Sequence, residues 1–125
     1  MKVHDYEHWY IGGHSLGGTA AASFAASHAA ETDGLVLLAA YPTGKLPDLK
    51  MLSVYGTEDG CLEPEAYEEA RQYWPPSAVE TVIPGGNHAQ FGSYGAQKGD
   101  GQASMKAAEQ QKQTSDEIIR WIENQ

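Results

Sequence analysis

Apolar residues in this chain fall into short continuous runs bounded by glycine and proline, alternating with longer stretches of helical spacing. Trp9-Tyr10-Ile11 is a β-prone run that stops at Gly12-Gly13, and an alanine-rich helical stretch follows over 15–30. Residues 35–40 form an unbroken apolar run after Asp33-Gly34, as expected of a strand buried on both faces. A second such strand is predicted over 51–55, closed by Gly56. An amphipathic helix is predicted over 65–73, with Pro64 at its start and Pro75-Pro76 beyond its end. Residues 79–83 alternate like a strand and stop at Pro84-Gly85-Gly86. A final helix over 104–123 has Ile118, Trp121 and Ile122 on one side, at i, i+3 and i+4.

Strands alternating with helices predict an α/β fold, a mostly parallel sheet with helices on both faces, in one domain over residues 1–125. One link strains this order. The 42–50 connection is shorter than the dozen or so residues of a helical crossover, although a turn of helix over 46–49 stays open.

Composition narrows the function classes. The net charge is −9 and the eight Lys and Arg are scattered singly, so no basic stripe exists to hold nucleic acid. No run approaches the roughly 18 apolar residues of a membrane helix. The N-terminus lacks the apolar segment of a signal peptide, which leaves a cytoplasmic setting as the default expectation. Cys61 is alone, so neither an intrachain disulfide nor a cysteine metal site can form. His4 and His8 stand at i, i+4, but with no third ligand in sight they read as solvated histidines. No metal or cofactor is expected.

The chemistry begins at Gly12-Gly13-His14-Ser15-Leu16-Gly17-Gly18, between a strand and a helix. Its core is Gly-x-Ser-x-Gly in strand–turn–helix context, the nucleophile elbow. Such a turn holds its serine in a strained conformation above the sheet. Gly13 and Gly17 are expected to be glycines because a Cβ at either would strike neighbouring backbone. The helix after Ser15 directs unpaired N–H groups at the site, and the Leu16 N–H is the expected oxyanion donor. A phosphate loop is the rival reading of Gly12 to Thr19, but Gly18 stands where its lysine must be. The Gly-x-Gly-x-x-Gly dinucleotide pattern is absent too.

A serine hydroxyl needs a base, and the base needs a third group to fix its tautomer. Gly56-Thr57-Glu58-Asp59-Gly60 follows a strand directly, and Asp59 is the expected acid, with Glu58 and Glu63 as competitors. Among the histidines, His14 lies inside the elbow with its own serine facing away, and His28 suits a helix cap. His88, in Gly85-Gly86-Asn87-His88, follows the 79–83 strand and is the expected base. Nucleophile, acid and base thus come after three strand ends in the order serine, acid, histidine.

These segments, Gly13 to Gly18, Tyr55 to Gly60 and Gly85-Gly86-Asn87-His88-Ala89-Gln90-Phe91-Gly92, resemble the α/β-hydrolase superfamily. Continuing through Tyr94-Gly95 and Gly99-Asp100-Gly101, the last is similar to a branch of dienelactone hydrolases and small bacterial carboxylesterases. The resemblance implies an α/β-hydrolase-like three-layer sandwich. It also implies Ser15 as nucleophile, Asp59 as acid, His88 as base and Leu16 as oxyanion donor. The activity implied is cleavage of small esters or lactones, without a cofactor. Superfamily members place several strands and a second oxyanion loop before the elbow, whereas about a dozen residues precede it here. The expectation is therefore the C-terminal half of the domain. The Trp9-Tyr10-Ile11 edge is expected to self-associate or to pair with a missing N-terminal half. The alternative is a non-catalytic remnant or binding module with an incomplete oxyanion hole.

Overall fold

The aliphatic runs form strands, and each pairs in parallel with the next in sequence. The computed structural model describes residues 10–28, 30, 32–92 and 98–124. Its sheet has the order β1 (Tyr10–His14), β2 (Gly34–Leu38), β3 (Lys50–Gly56), β4 (Val79–Ile83). Tyr10 lies opposite Gly34, Gly34 opposite Lys50, and Leu52 opposite Val79. Within the described residues β1 is an edge strand, paired with β2 alone. Trp9, His4, His8, Tyr94 and Gly95 lie outside the described residues.

Side chains alternate across the sheet, so each strand feeds two cores. On one face Leu35, Leu37 and Met51 pack against Ala21, Ala22 and Ala25 of α1 (Leu16–Ser27). The alanines let this helix sit close to the strands. On the other face Val36, Leu52, Val54 and Ile83 pack against Trp121 of α3 (Ala107–Glu123), whose ring meets Tyr10 edge-on at 5.8 Å. Leu35 and Leu37 are wholly buried, which stabilises the fold by about 1.5–3 kcal/mol each. The helix α2 (Pro64–Ala70), continued by a 3₁₀ turn over Arg71–Tyr73, joins the α1 side. There Tyr67 Oη meets the Ser53 hydroxyl at 2.7 Å, and burial pushes the phenol's pKa up.

The short crossover proves compatible with a parallel sheet, without a turn of helix. Residues 39–49 run irregularly over the α1 face and bury Leu46 and Leu49 in the same core as Leu35 and Met51. Two leucines thus cover the strands as a helix would, and the Leu46 N–H donates to the Tyr73 carbonyl at 3.0 Å. Other boundaries shift for local reasons. The first strand continues through both glycines to His14, and α3 starts at Ala107 rather than at 104. Ser104 is instead engaged by the loop after β4, its N–H donating to the Gly85 carbonyl at 2.9 Å. Ile122 is 37% exposed, so the buried side of α3 runs through Gln110, Thr114, Ile118 and Trp121 rather than through Ile122.

Candidate active site

Ser15 sits between the end of β1 and the start of α1 with φ 57° and ψ −123°. That left-handed conformation costs a non-glycine residue about 1–3 kcal/mol and persists only where neighbours impose it. The Ser15 N–H donates to the Leu38 carbonyl at 3.0 Å, and the Ser15 carbonyl accepts from Thr19 at 3.1 Å. The turn also closes on itself, since a Cβ on Gly13 would fall 2.4 Å from the Gly17 carbonyl oxygen. The expectation for Gly17 needs correction: a Cβ there meets nothing within 4 Å. Gly18 is the second sterically required glycine, because its Cβ would lie 2.5 Å from Ala40 Cβ and 2.8 Å from the Gly13 oxygen. Helix α1 crosses the strands at Gly18, whereas Gly17 points outward.

A second strained residue stands opposite, with no signal in the sequence. Ala39, the residue after β2, has φ 52° and donates its N–H to the Val54 carbonyl at 2.7 Å. A glycine or asparagine there would have advertised the left-handed turn; an alanine does not.

The structure brings the predicted acid and base to this serine. His88 Nε2 lies 3.0 Å from Ser15 Oγ, and His88 Nδ1 lies 2.9 Å from Asp59 Oδ2. Both partner side chains are buried, His88 4% and Asp59 2% exposed. Asp59 Oδ1 accepts the N–H groups of Cys61 at 2.8 Å and Leu62 at 2.7 Å, which leaves Oδ2 for the imidazole. An ionised carboxylate only accepts, so Nδ1 carries the ring proton and Nε2 of the neutral ring accepts the serine O–H. The competing carboxylates stay outside. Exposed Glu58 accepts from the Thr57 hydroxyl, and exposed Glu63 precedes α2.

Other residues hold His88. Gln110 of α3, wholly buried, grips the peptide groups flanking the Asn87 α-carbon: its Nε2 donates to the Asn87 carbonyl at 2.8 Å and its Oε1 accepts the Asn87 N–H at 3.1 Å. His14 donates from Nε2 to the His88 carbonyl at 2.8 Å, and its ring lies 4.9 Å from the His88 ring. Burial lowers the His14 pKa, outweighing the hydrogen bond to the His88 carbonyl and the charges of Asp59 and Asp100. His28 caps α1 as expected, Nδ1 donating to the Phe24 carbonyl at 3.0 Å.

A cavity of about 230 Å³ opens over Ser15 and His88, bounded by Thr19, Ala40, Tyr41 and Leu62. Leu16, 85% exposed, is the first residue of α1, a position whose N–H has no acceptor within the helix. A cavity of about 290 Å³ lies at the opposite, amino ends of β3 and β4, against Arg120 and Trp121, away from the reacting groups. Among the described residues Asp59, Cys61 and Asp100 bring donor atoms within 4.8 Å of one another. Their carboxylates already accept peptide N–H groups, and burial, then Asp100 and Asp59, pushes the Cys61 thiol up.

A parallel sheet with a strained serine after β1, a carboxylate after β3 and a histidine after β4 has the α/β-hydrolase fold. Residues 1–113 match the family model described as "Alpha/beta hydrolase family", and the chain belongs to this family. Similar solved structures include a "predicted CIB-like hydrolase" from Thermoplasma acidophilum, at 18% identity and TM-score 0.61, over 89% of this chain and 50% of that one. A serine hydrolase involved in carbazole degradation aligns at 11% identity and TM-score 0.67, over 98% of this chain and 66% of that one. Est1E from Butyrivibrio proteoclasticus aligns at 17% identity and TM-score 0.59, over 92% and 62%. The chain thus spans between half and two-thirds of these relatives. No curated protein sequence matches it.

Proposed function

We propose that this chain carries the catalytic residues of a serine hydrolase that cleaves small carboxylic esters or lactones through an acyl-enzyme. One observation supports the reading above all: the continuous relay from Ser15 Oγ through His88 to Asp59, at 3.0 and 2.9 Å. In this mechanism Ser15 Oγ bonds to the substrate carbonyl carbon while its proton passes to His88 Nε2. Asp59 stabilises the imidazolium, and the Leu16 N–H donates to the oxyanion. The tetrahedral intermediate breaks its C–O bond, and the departing alcohol takes the proton from His88. Water then repeats the sequence and releases the acid.

The 39–49 crossover lines the cavity over Ser15 with Ala40 and Tyr41 and buries Leu46 and Leu49 on the α1 face, and a cavity of about 230 Å³ favours small substrates. A net charge of −9, with Glu63 on the cavity rim, favours neutral substrates over anionic ones. The likeness to dienelactone hydrolases and small carboxylesterases supports the ester or lactone class. A fluorophosphonate probe tests the reading. It should modify Ser15, as mapped by peptide analysis, and neither Ser15→Ala nor His88→Ala should be labelled appreciably. Labelling that persists in Ser15→Ala would sink the assignment, and a chain that never labels would favour the non-catalytic remnant.

A further inference from the structure

The reaction just described makes no use of Asp100, yet this residue bonds the backbone around two of its three participants. Asp100 Oδ1 accepts the N–H groups of Gly60 at 3.1 Å, His88 at 3.1 Å and Gly101 at 2.8 Å. Its Oδ2 accepts the N–H of Ala89 at 2.9 Å. Gly60 follows Asp59 directly, and His88 and Ala89 are the base and its neighbour. One carboxylate therefore ties the loop after β3 to the loop after β4. The loops also meet directly, the Glu58 N–H donating to the Gly86 carbonyl at 2.8 Å and the Gly85 N–H to the Thr57 hydroxyl at 2.8 Å, but those bonds lie before Asp59 and His88, whose own hydrogen bond must span the gap beyond them. The Asp100 segment also passes very close to the acid loop, since a Cβ on Gly101 would fall 1.9 Å from the Glu58 carbonyl oxygen.

A carboxylate offers about four lone-pair sites, and here four N–H donors converge on it, three on Oδ1 and one on Oδ2. A neutral amide could not replace it, because its NH₂ would face an N–H. Burial pushes the Asp100 carboxyl up, but the N–H groups of Ala89, Gly60, His88 and Gly101 outweigh burial and hold it below the usual carboxylate range.

We propose that Asp100 is a positioning residue, an ionised strut that fixes the acid loop against the base loop and so holds Asp59 Oδ2 on His88 Nδ1. The proposal rests on the serine hydrolase reading for its effect on rate, but not for its effect on the hydrogen bond. A displacement of about 1 Å between reacting groups can cost 10²-fold.

Asp100→Asn in the full chain is the test, with Ser53→Ala as a comparison that loses a buried hydrogen bond between β3 and Tyr67 of α2, outside the site. Asp100→Asn should label with fluorophosphonate about 10²-fold more slowly. Its His88 Nδ1–H proton resonance should broaden through faster exchange with water. Ser53→Ala should change neither. An Asp100→Asn protein that is folded by circular dichroism and keeps both the rate and the resonance overturns the proposal. Should the wild-type chain not label, the hydrolase reading fails, and the resonance alone decides the strut. Should Asp100→Asn not fold, a titration of the wild type by NMR decides. The four bonds are fully present above the ordinary carboxylate value and are lost as pH falls through the lowered folded value. The amide shifts of Gly60 and Ala89 and the His88 Nδ1–H resonance should then follow the Asp100 carboxyl carbon with one midpoint. Separate midpoints overturn the strut.

Discussion

Asp59 and His88 are 2% and 4% exposed at their side chains, whereas Leu16, one residue beyond Ser15, is 85% exposed. The buried pair is braced from several directions: peptide N–H groups on both carboxylates, Gln110 on the Asn87 backbone and the His14 ring beside His88. The serine side stands instead on one strained turn, anchored by the bond from the Ser15 N–H to Leu38 and by the close fit of Gly13 and Gly18. The difference separates two ways of making a site precise. Hydrogen bonds position Asp59 and His88, and backbone sterics position Ser15. Substitutions in the two regions should therefore fail differently, one through loosened polar contacts and the other through collisions.

The largest effect is expected in the braced region. Asp59→Asn keeps an oxygen for the Cys61 and Leu62 N–H groups, so its NH₂ must face His88 Nδ1. That selects the tautomer with a proton on Nε2, which can no longer accept from Ser15. Ester turnover should fall by about 10⁴-fold while the chain stays folded. A loss under tenfold would mean that Asp59 does not set the tautomer.

Gln110→Leu should act more on stability than on chemistry. The shape is roughly kept, but the Asn87 N–H and carbonyl both lose their partner, at about 1–3 kcal/mol for each group left unsatisfied. Urea denaturation should show a midpoint lowered accordingly. An unchanged midpoint would show that water replaces the amide, and that α3 does not brace the base loop.

How much of this could be read from sequence depends on whether an interaction is local. The four strands and three helices follow from apolar period and turn residues. Ser15, Asp59 and His88 could be lined up because each follows a strand end, and in the structure these three side chains meet. Gln110 and Asp100 left no such mark. Gln110 lies in a Glu109-Gln110-Gln111-Lys112 run that looks like a solvated helix face, and its partner Asn87 is 23 residues away. Asp100 reads as a loop acid between glycines, although it bonds Gly60 across 40 residues. Ala39 adopts a positive φ that its residue type disfavours, imposed by strand ends that meet only in the fold.

The smallest effect, and the sharpest contrast, concerns the two adjacent glycines of the elbow. Both are in the first turn of α1, so replacing either by alanine gains helix propensity, up to about 1 kcal/mol. At Gly17 that gain meets no opposition among the described residues, because the new methyl group has nothing within 4 Å. At Gly18 the methyl group would overlap Ala40 Cβ at 2.5 Å and the Gly13 oxygen at 2.8 Å. Neither neighbour is the flexible end of a side chain, so α1 must lift from the sheet. Overpacking of this kind costs about 1–3 kcal/mol. Thermal unfolding should find Gly17→Ala equal to the parent or slightly more stable, and Gly18→Ala less stable. Probe labelling of Ser15 should fall only in Gly18→Ala, because lifting the helix moves Oγ away from His88 Nε2. If Gly17→Ala proves the more damaging of the two, the steric account of the elbow is wrong, and the space beside Gly17 is filled in solution by something outside the described residues.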